Sequence, residues 1–197
     1  MRRTVVRMKE RLSNSLSVLA CITLCVMNAC ACASSHNIVA KGEAPVRVSD
    51  SYSFTEGPTA DAGGNVYFTD QPNNRIYRWD CTSGEVTLFT DQSGRSNGMY
   101  FDARGNLIAC ADMDNQLWAF DRTGRSRVLA TDYCGKLLNG PNDVWVAKDG
   151  GCYLTDPYFR RDYWLRDPAR QQPVEGLYYL APGGGSLILL DSTLNKP

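Results

Sequence analysis

A repeat limits what this chain can fold into more than any other feature of the sequence. Its three copies begin at Glu56, Asn97 and Asn142, so the offsets are 41 and 45 residues. Each copy continues with a turn rich in Asp, Gly and Asn and then a short apolar run; the first has Asp61-Ala-Gly-Gly-Asn65 before Val66-Tyr-Phe-Thr69. Gly and Asn supply the positive φ that tight hairpins need. Each copy therefore holds about four short strands, which in about 40 residues is the composition of one propeller blade.

The repeat predicts an all-β protein of the β-propeller class. A β-sandwich also strings short strands together, but it has no need of a matched repeat of blade length. Residues 50–197 have room for about the first three to four blades, the last beginning with the runs at 176–180 and 186–190. Closed propellers generally have four to eight blades. We therefore expect residues 50–197 to be the N-terminal part of a propeller that is truncated at its C-terminus.

Residues 1–33 have the pattern of a secretory signal peptide, and residues 34–49 form a linker or the start of the first strand. A basic start precedes the apolar stretch 16–27, and Ala31-Cys32-Ala33 is a small-x-small cleavage site. The apolar stretch is shorter than the ~20 residues that span a bilayer, so no transmembrane span is expected. The run 18–21, which ends at Cys21, resembles a lipidation box and leaves a lipid anchor open. We expect export to the periplasm or the extracellular space.

Composition argues against several function classes. Five of the 21 basic residues but only one of the 21 acidic residues lie in 1–33, so the remainder is acidic and unsuited to nucleic acid. The single histidine, His36, follows the predicted cleavage site, which leaves no Ser-His-Asp set for the folded part. The cysteines beyond the leader lack the C-x-x-C spacing of zinc sites, and their disulfide status stays open. They are Cys81, Cys110, Cys134 and Cys152.

The first position of the repeat is the strongest candidate for a site. In a propeller the innermost strand of each blade lines the central channel, so Glu56, Asn97 and Asn142 would face one another. A carboxylate and amide oxygens together suit Ca²⁺ or a similar hard cation. The alternative is that these residues cap turns before the following residue, a role that Asn fills well. Repeat position alone leaves both interpretations open.

Several motifs make the chain similar to a known family, the senescence-marker-protein/gluconolactonase/luciferin-regenerating-enzyme-like family. The resemblance extends from about residue 50 to the end. It rests on Phe54-Thr-Glu-Gly-Pro58, Val66-Tyr-Phe-Thr-Asp-Gln-Pro-Asn-Asn-Arg-Ile-Tyr-Arg-Trp-Asp80, Asn97-Gly98, Leu138-Asn-Gly-Pro-Asn-Asp143 and Tyr153-Leu-Thr-Asp-Pro157.

The resemblance implies a six-bladed propeller that binds one divalent cation, most often Ca²⁺, and hydrolyses sugar lactones or related esters. It makes Glu56 a metal ligand and Asn142 a ligand or substrate contact. Two further ligands of the family, one of them the proton-transferring Asp, belong to later blades and are expected beyond Pro197. The alternatives are a non-catalytic propeller that binds carbohydrate or protein, and an organophosphate-ester hydrolase at the same metal site.

Further residues are expected to support such a site. Asn97 is assigned to the channel as a substrate contact or a residue behind the metal ligands. Asp143 follows Asn142 and could orient it by a hydrogen bond. Tyr158 lies in an irregular, proline-flanked stretch, 157–173, that could form a lid or substrate wall. Asp70 and Asp156 occupy equivalent strand ends and are interpreted as stabilising loops.

Overall fold

The computed structural model describes residues 41–197. The predicted signal peptide, 1–33, and the lipidation box ending at Cys21 lie outside these residues, as do residues 34–40 of the predicted linker. Between residues 41 and 197 no helix is long and apolar enough to cross a membrane. The strands are β1 (Thr55–Ala60), β2 (Val66–Asp70), β3 (Arg75–Trp79), β4 (Val86–Thr90), β5 (Ser96–Phe101), β6 (Leu107–Ala111), β7 (Gln116–Phe120), β8 (Ser126–Ala130), β9 (Asp132–Tyr133), β10 (Lys136–Leu137), β11 (Val144–Val146), β12 (Cys152–Asp156), β13 (Gly176–Leu180) and β14 (Ile188–Asp191).

Three antiparallel sheets of four strands each follow one another along the chain, in the orders β1–β4, β5–β8 and β11–β14. A two-stranded hairpin, β9–β10, connects the second sheet to the third. Each sheet is a meander in which sequential strands are neighbours, which is the arrangement of a propeller blade. The predicted all-β propeller class is confirmed, and the first strands β1, β5 and β11 coincide with the repeat.

One detail of the strand prediction is wrong. The strands near 176–180 and 186–190 do not open a further blade, because β13 pairs with β12 and β14 pairs with β13. Cys152 lies opposite Leu180, and Asp156 lies opposite Gly176. The long irregular segment 157–175 separates two strands of one hairpin, and this insertion made the second half of the third blade look like a new repeat.

The core lies between successive blades. The first and second blades meet through a cluster that contains Ile76, Met99 and Phe120. A larger cluster joins the second and third blades. Because the second blade is covered on both faces, every residue of β6 is buried, whereas burial alternates along β12. The four cysteines beyond the leader are all unpaired. Two of them, Cys110 and Cys152, lie in the larger cluster.

Two carboxylates at the ends of second strands bind the backbone segment that precedes the first strand of the same blade. Asp70 Oδ1 accepts hydrogen bonds from the backbone N–H groups of Ser53 and Phe54, both at 3.2 Å. Asp156 accepts from the N–H groups of Asn139 and Gly140, both at 2.8 Å. These bonds confirm the loop-stabilising interpretation of both aspartates.

Two asparagines join each blade to the next. Asn74 and Asn115 end the short 3₁₀ turns that follow β2 and β6, and both have left-handed backbone conformations, with φ of 57° and 59°. Asn74 Oδ1 accepts a hydrogen bond from Arg95 N at 2.8 Å. Asn115 Nδ2 donates to the carbonyl of Leu138. Asn tolerates this conformation better than most residues, which explains its recurrence at both turns.

The buried carboxyl of Asp156 should make stability depend on pH. Burial raises its pKa to about 7 from 3.8, despite the two backbone N–H groups that favour the ionised form. Between about pH 4 and 7 the native state therefore retains a proton that the unfolded chain loses. The contribution of Asp156 to the free energy of unfolding is then largest at low pH and falls as the pH rises through this window.

We expect Asp156→Asn to abolish this fall and to lower the free energy of unfolding at pH 5 by about 1–3 kcal/mol, because an amide nitrogen cannot accept an N–H bond. Denaturant unfolding at pH 4, 5.5 and 7 measures both effects. Asp91→Asn, which changes an exposed carboxylate, is the matched control and should keep the fall. An unchanged pH profile in Asp156→Asn would contradict this account.

Candidate functional site

The inner strands of the three blades are β1, β5 and β11. Each begins at the end of its blade where the second strand, β2, β6 or β12, finishes. Thr55 pairs with Asp70 in the first blade, and Ser96 pairs with Ala111 in the second. Both inner strands also change register at this end, between Glu56 and Thr59 and again between Ser96 and Met99. Such bulges turn a side chain out of the regular alternation. The sheet geometry therefore presents the first repeat position at the end of the blades instead of burying it in a blade face.

One cleft of about 350 Å³ brings the predicted residues together. Its lining includes Glu56, Asn97, Asn142 and Asp143 from three different blades. Asn97 is buried, with 4% of its surface exposed, whereas Glu56 and Asn142 are half-buried and Asp143 is exposed. Residues far apart in sequence thus meet as the repeat predicts.

Two glycines allow the inner strands to approach this closely. A Cβ on Gly57 would collide with the carbonyl oxygen of Asn97, and one on Gly98 would collide with Asp143 and the carbonyl of Asn142. Gly98 N donates a hydrogen bond of 2.7 Å to that Asn142 carbonyl. Gly57 and Gly98 therefore let the backbones of neighbouring inner strands lie next to each other. The side chains of the preceding residues, Glu56 and Asn97, are brought together as a result.

The side chains at the first repeat position make no hydrogen bonds to the part of the chain that the structure describes. Within residues 41–197, neither Glu56, Asn97 nor Asn142 donates or accepts a side-chain hydrogen bond to the protein. The same part of the chain contains no cluster of three or more His, Cys, Asp or Glu residues that could hold a metal ion. The candidate donor set is therefore one carboxylate with amide oxygens, all of them hard ligands.

Asp143 and Tyr158 are held by contacts of their own. Asp143 Oδ1 accepts a hydrogen bond from Val144 N at 2.8 Å, which fixes the start of β11. Tyr158 donates its hydroxyl to the carbonyl of Pro168 at 2.6 Å and lies outside the lining of the cleft. The predicted ligand contacts of these two residues stay predictions.

Sequence reasoning missed a buried polar cluster beside the cleft, centred on Asp112. Trp164 Nε1 donates to Asp112 Oδ2 at 2.9 Å, and an Arg166 nitrogen lies 3.5 Å from Asp112 Oδ1. The Arg166 guanidinium also covers the Trp164 ring, 3.5 Å from its centroid. Burial raises the pKa of Asp112, against the lowering effect of Trp164 and the arginines. The segment 157–175 of the third blade is thereby fastened to the second blade.

A family model described as the SMP-30/gluconolactonase/LRE-like region matches residues 54–197. This chain belongs to that family. The match confirms the family resemblance of the motifs around Glu56, Asn97 and Asn142.

Relatives within the SMP-30/gluconolactonase family agree in sequence and fold. A gluconolactonase of Zymomonas mobilis is 28% identical over 159 residues, which cover 73% of this chain and 44% of the relative. A solved gluconolactonase from Xanthomonas campestris superposes with a TM-score of 0.69 at 28% identity, covering 74% of this chain and 50% of that one. A candidate gluconolactonase gives 0.71 at 29% identity, with 77% and 53% covered. This chain thus spans about half the length of the relatives that it matches.

Gly98 offers a test of the contact between the second and third inner strands. We expect Gly98→Ala to lower the free energy of unfolding by about 1–3 kcal/mol, because the added methyl group overpacks a backbone-to-backbone contact. The φ of Gly98 is not in the left-handed region, so the effect reports packing rather than backbone strain.

The matched control is Gly63→Ala, where the added methyl group would meet only the movable side chains of Asp61 and Asn65 in an exposed turn. Urea unfolding of both variants gives the comparison. Equal stability of the two variants would show that the inner strands do not need this glycine.

Proposed function

We propose that this protein hydrolyses sugar lactones at the cleft between the inner strands, with a divalent cation, first of all Ca²⁺, held by Glu56 and Asn142. The observation that carries the proposal is the convergence of three oxygen-bearing side chains from three blades, those of Glu56, Asn97 and Asn142, on one cleft. Membership of the SMP-30/gluconolactonase family supports the choice of substrate class. Two relatives, from Zymomonas mobilis and Xanthomonas campestris, are gluconolactonases.

The donor set fits a hard cation. Ca²⁺ takes carboxylate, amide and carbonyl oxygens, and Glu56, Asn97 and Asn142 offer the first two kinds. The residues lining the cleft include no cysteine and no histidine, the usual ligands of zinc. Glu56 brings the full negative charge, so it should contribute most to affinity, and Asn142 would add an amide oxygen from the third blade.

The residues of the cleft can position a lactone for attack by water. A divalent cation bound here would supply Lewis-acid polarisation of the lactone carbonyl. Asn97 is buried in the lining and has no side-chain partner between residues 41 and 197, so it can donate its amide N–H to an oxygen of the substrate. Trp145, half of whose surface is exposed (52%), offers an apolar ring in the lining against which the carbon face of a sugar ring can pack.

The carboxylate of Glu56 gives the direct test. We expect Glu56→Gln to weaken Ca²⁺ binding at least tenfold and to lower kcat/KM for D-glucono-1,5-lactone, because the neutral amide loses the charge that attracts the cation. Calorimetric titration with CaCl₂ and a pH-indicator assay of lactone opening measure the two effects. EDTA should remove the activity of the unaltered protein, and added Ca²⁺ should restore it.

Glu85→Gln is the matched control, because Glu85 is an exposed residue of the turn between β3 and β4. It should change neither quantity. Lactone turnover that survives both EDTA and Glu56→Gln would exclude the metal mechanism. Ca²⁺ binding without turnover of any lactone would support the cation site and refute hydrolysis by this chain.

We also propose that the protein is exported, on the evidence of the leader sequence. In cells that make it, the mature protein should begin at Ser34 and be found outside the cytoplasm. Mass spectrometry of the N-terminal peptide after cell fractionation measures both. A mature chain that begins at an acylated Cys21 would show the lipoprotein form, and an intact Met1 in the cytoplasm would refute export.

A further inference from the structure

A second cavity, the distal cavity, lies between the first and second blades at the end opposite the cleft. Residues of three turns form its rim: 61–65 between β1 and β2, 102–106 between β5 and β6, and 121–125 between β7 and β8. Its volume of about 630 Å³ is within the roughly 300–1,000 Å³ of small-molecule sites. The length of β1 separates this rim from Glu56, so the distal cavity is not part of the cleft.

Three aromatic rings form the apolar wall of the distal cavity. The Tyr67 ring contacts those of Phe89 and Phe101 edge-to-face, with centroids 5.2 Å and 5.0 Å away. All three residues line the cavity and are half-buried, so each keeps surface that a ligand can reach. Aromatic rings favour edge-to-face and offset contacts with one another. The wall therefore offers a flat ring a place in an existing aromatic set.

Two arginines at the rim have no partner for their charge among residues 41–197. Arg104 and Arg122 are exposed and line the cavity, whereas Arg78, the third arginine of the lining, is paired with Asp80 at 2.8 Å. The guanidinium of Arg122 packs against Gly105, where a Cβ would lie only 3.2 Å from Nη2. Arg122 thus reaches from its own turn to the turn that carries Arg104, and the two guanidinium groups share one side of the rim.

The three aspartates of the lining are engaged within their own turns. Asp61, Asp102 and Asp121 each accept hydrogen bonds from backbone N–H groups two and four residues later. Asp102 also accepts from Asn106 Nδ2 at 2.7 Å, so both of its oxygens are used. The unused hydrogen-bonding groups of the rim are therefore mainly guanidinium N–H donors. Because arginines and aspartates are equal in number here, selectivity would come from direct hydrogen bonds at short range.

The wall and the rim together restrict the ligand. Guanidinium groups bind carboxylates through two parallel N–H···O bonds, a geometry that neutral groups do not match. An aliphatic acid would satisfy the rim but would make no ring contacts with the wall. A neutral aromatic molecule would do the reverse.

We propose that the distal cavity binds an aromatic carboxylate. Its ring lies against Tyr67, Phe89 and Phe101, and its carboxylate accepts hydrogen bonds from Arg104 and Arg122. The site does not depend on the proposed lactone hydrolysis, because it shares no residue with the cleft.

Arg122→Gln tests the charged end of the site. Arg122 is exposed and makes no ion pair in the described chain, so the Tm should not change. Affinity of the full chain for 2-naphthoate, measured by calorimetry, should fall about tenfold with the loss of a charge-assisted hydrogen bond. EDTA in the titration prevents binding through a cation in the cleft. 2-Naphthamide, which keeps the rings without the charge, should bind the unaltered protein about tenfold more weakly than naphthoate.

The aromatic end is tested with a matched pair of ligands and a second variant. Benzoate should bind more tightly than cyclohexanecarboxylate, which has the same charge and no aromatic ring. Phe101→Leu keeps an apolar side chain but removes a ring of the wall, and it should weaken naphthoate binding by about threefold to tenfold.

Two control variants locate the site. Arg125→Gln removes an exposed arginine from the same turn as Arg122, but Arg125 does not line the cavity. Glu56→Gln alters the cleft alone. Both variants should keep the naphthoate affinity of the unaltered protein.

A loss of naphthoate binding in Arg122→Gln, but in neither control, would support the distal site whether or not the protein hydrolyses lactones. Undetectable naphthoate binding by the unaltered protein would overturn it. Equal losses in Arg122→Gln and Arg125→Gln would show attraction to surface charge in general, and a loss in Glu56→Gln would locate the ligand in the cleft. Either result would refute the proposal, as would equal affinities for naphthoate and naphthamide.

Discussion

The close approach of three inner strands at one end of the blades underlies the rest of the structure. Gly57 and Gly98 permit this approach, because each lies against the backbone of the next inner strand. The residue before each glycine, Glu56 or Asn97, consequently stands beside its counterpart in the next blade. A side chain at either glycine would push the blades apart and scatter the oxygen atoms that the cleft gathers. The packing of the blades and the composition of the cleft lining therefore depend on the same two positions.

Aspartates serve different purposes at this end of the molecule according to what surrounds them. Asp70 and Asp156 accept paired backbone N–H groups and hold strand entries in place. Asp112 lies one residue later in its repeat and receives side chains from the next blade instead. Glu56 alone among these four carboxylates has no partner in residues 41–197. The free carboxylate is the one that faces the cleft, where a ligand can reach it.

Much of this architecture could be predicted from the sequence, because a repeat reports on equivalent positions. The spacing of Glu56, Asn97 and Asn142 was enough to assign the inner strands and to bring three distant residues to one cleft. The segment 157–175 could not be placed in this way, since it has no counterpart in the other blades. Its contacts with Asp112 depend on tertiary packing, as does the hydrogen bond of Tyr158 to Pro168. Asp112 lies one residue after the repeat position that Asp70 occupies, so the repeat did not reveal its role.

The attachment of 157–175 to the neighbouring blade has an evolutionary consequence. This insertion begins and ends within a single hairpin, between β12 and β13, and it contributes no strand to a sheet. Its length and side chains can therefore diverge without disturbing the glycine-spaced inner strands. A lineage could therefore remodel the outer contacts of the third blade by altering this one excursion, while the strands that carry Glu56, Asn97 and Asn142 keep their places.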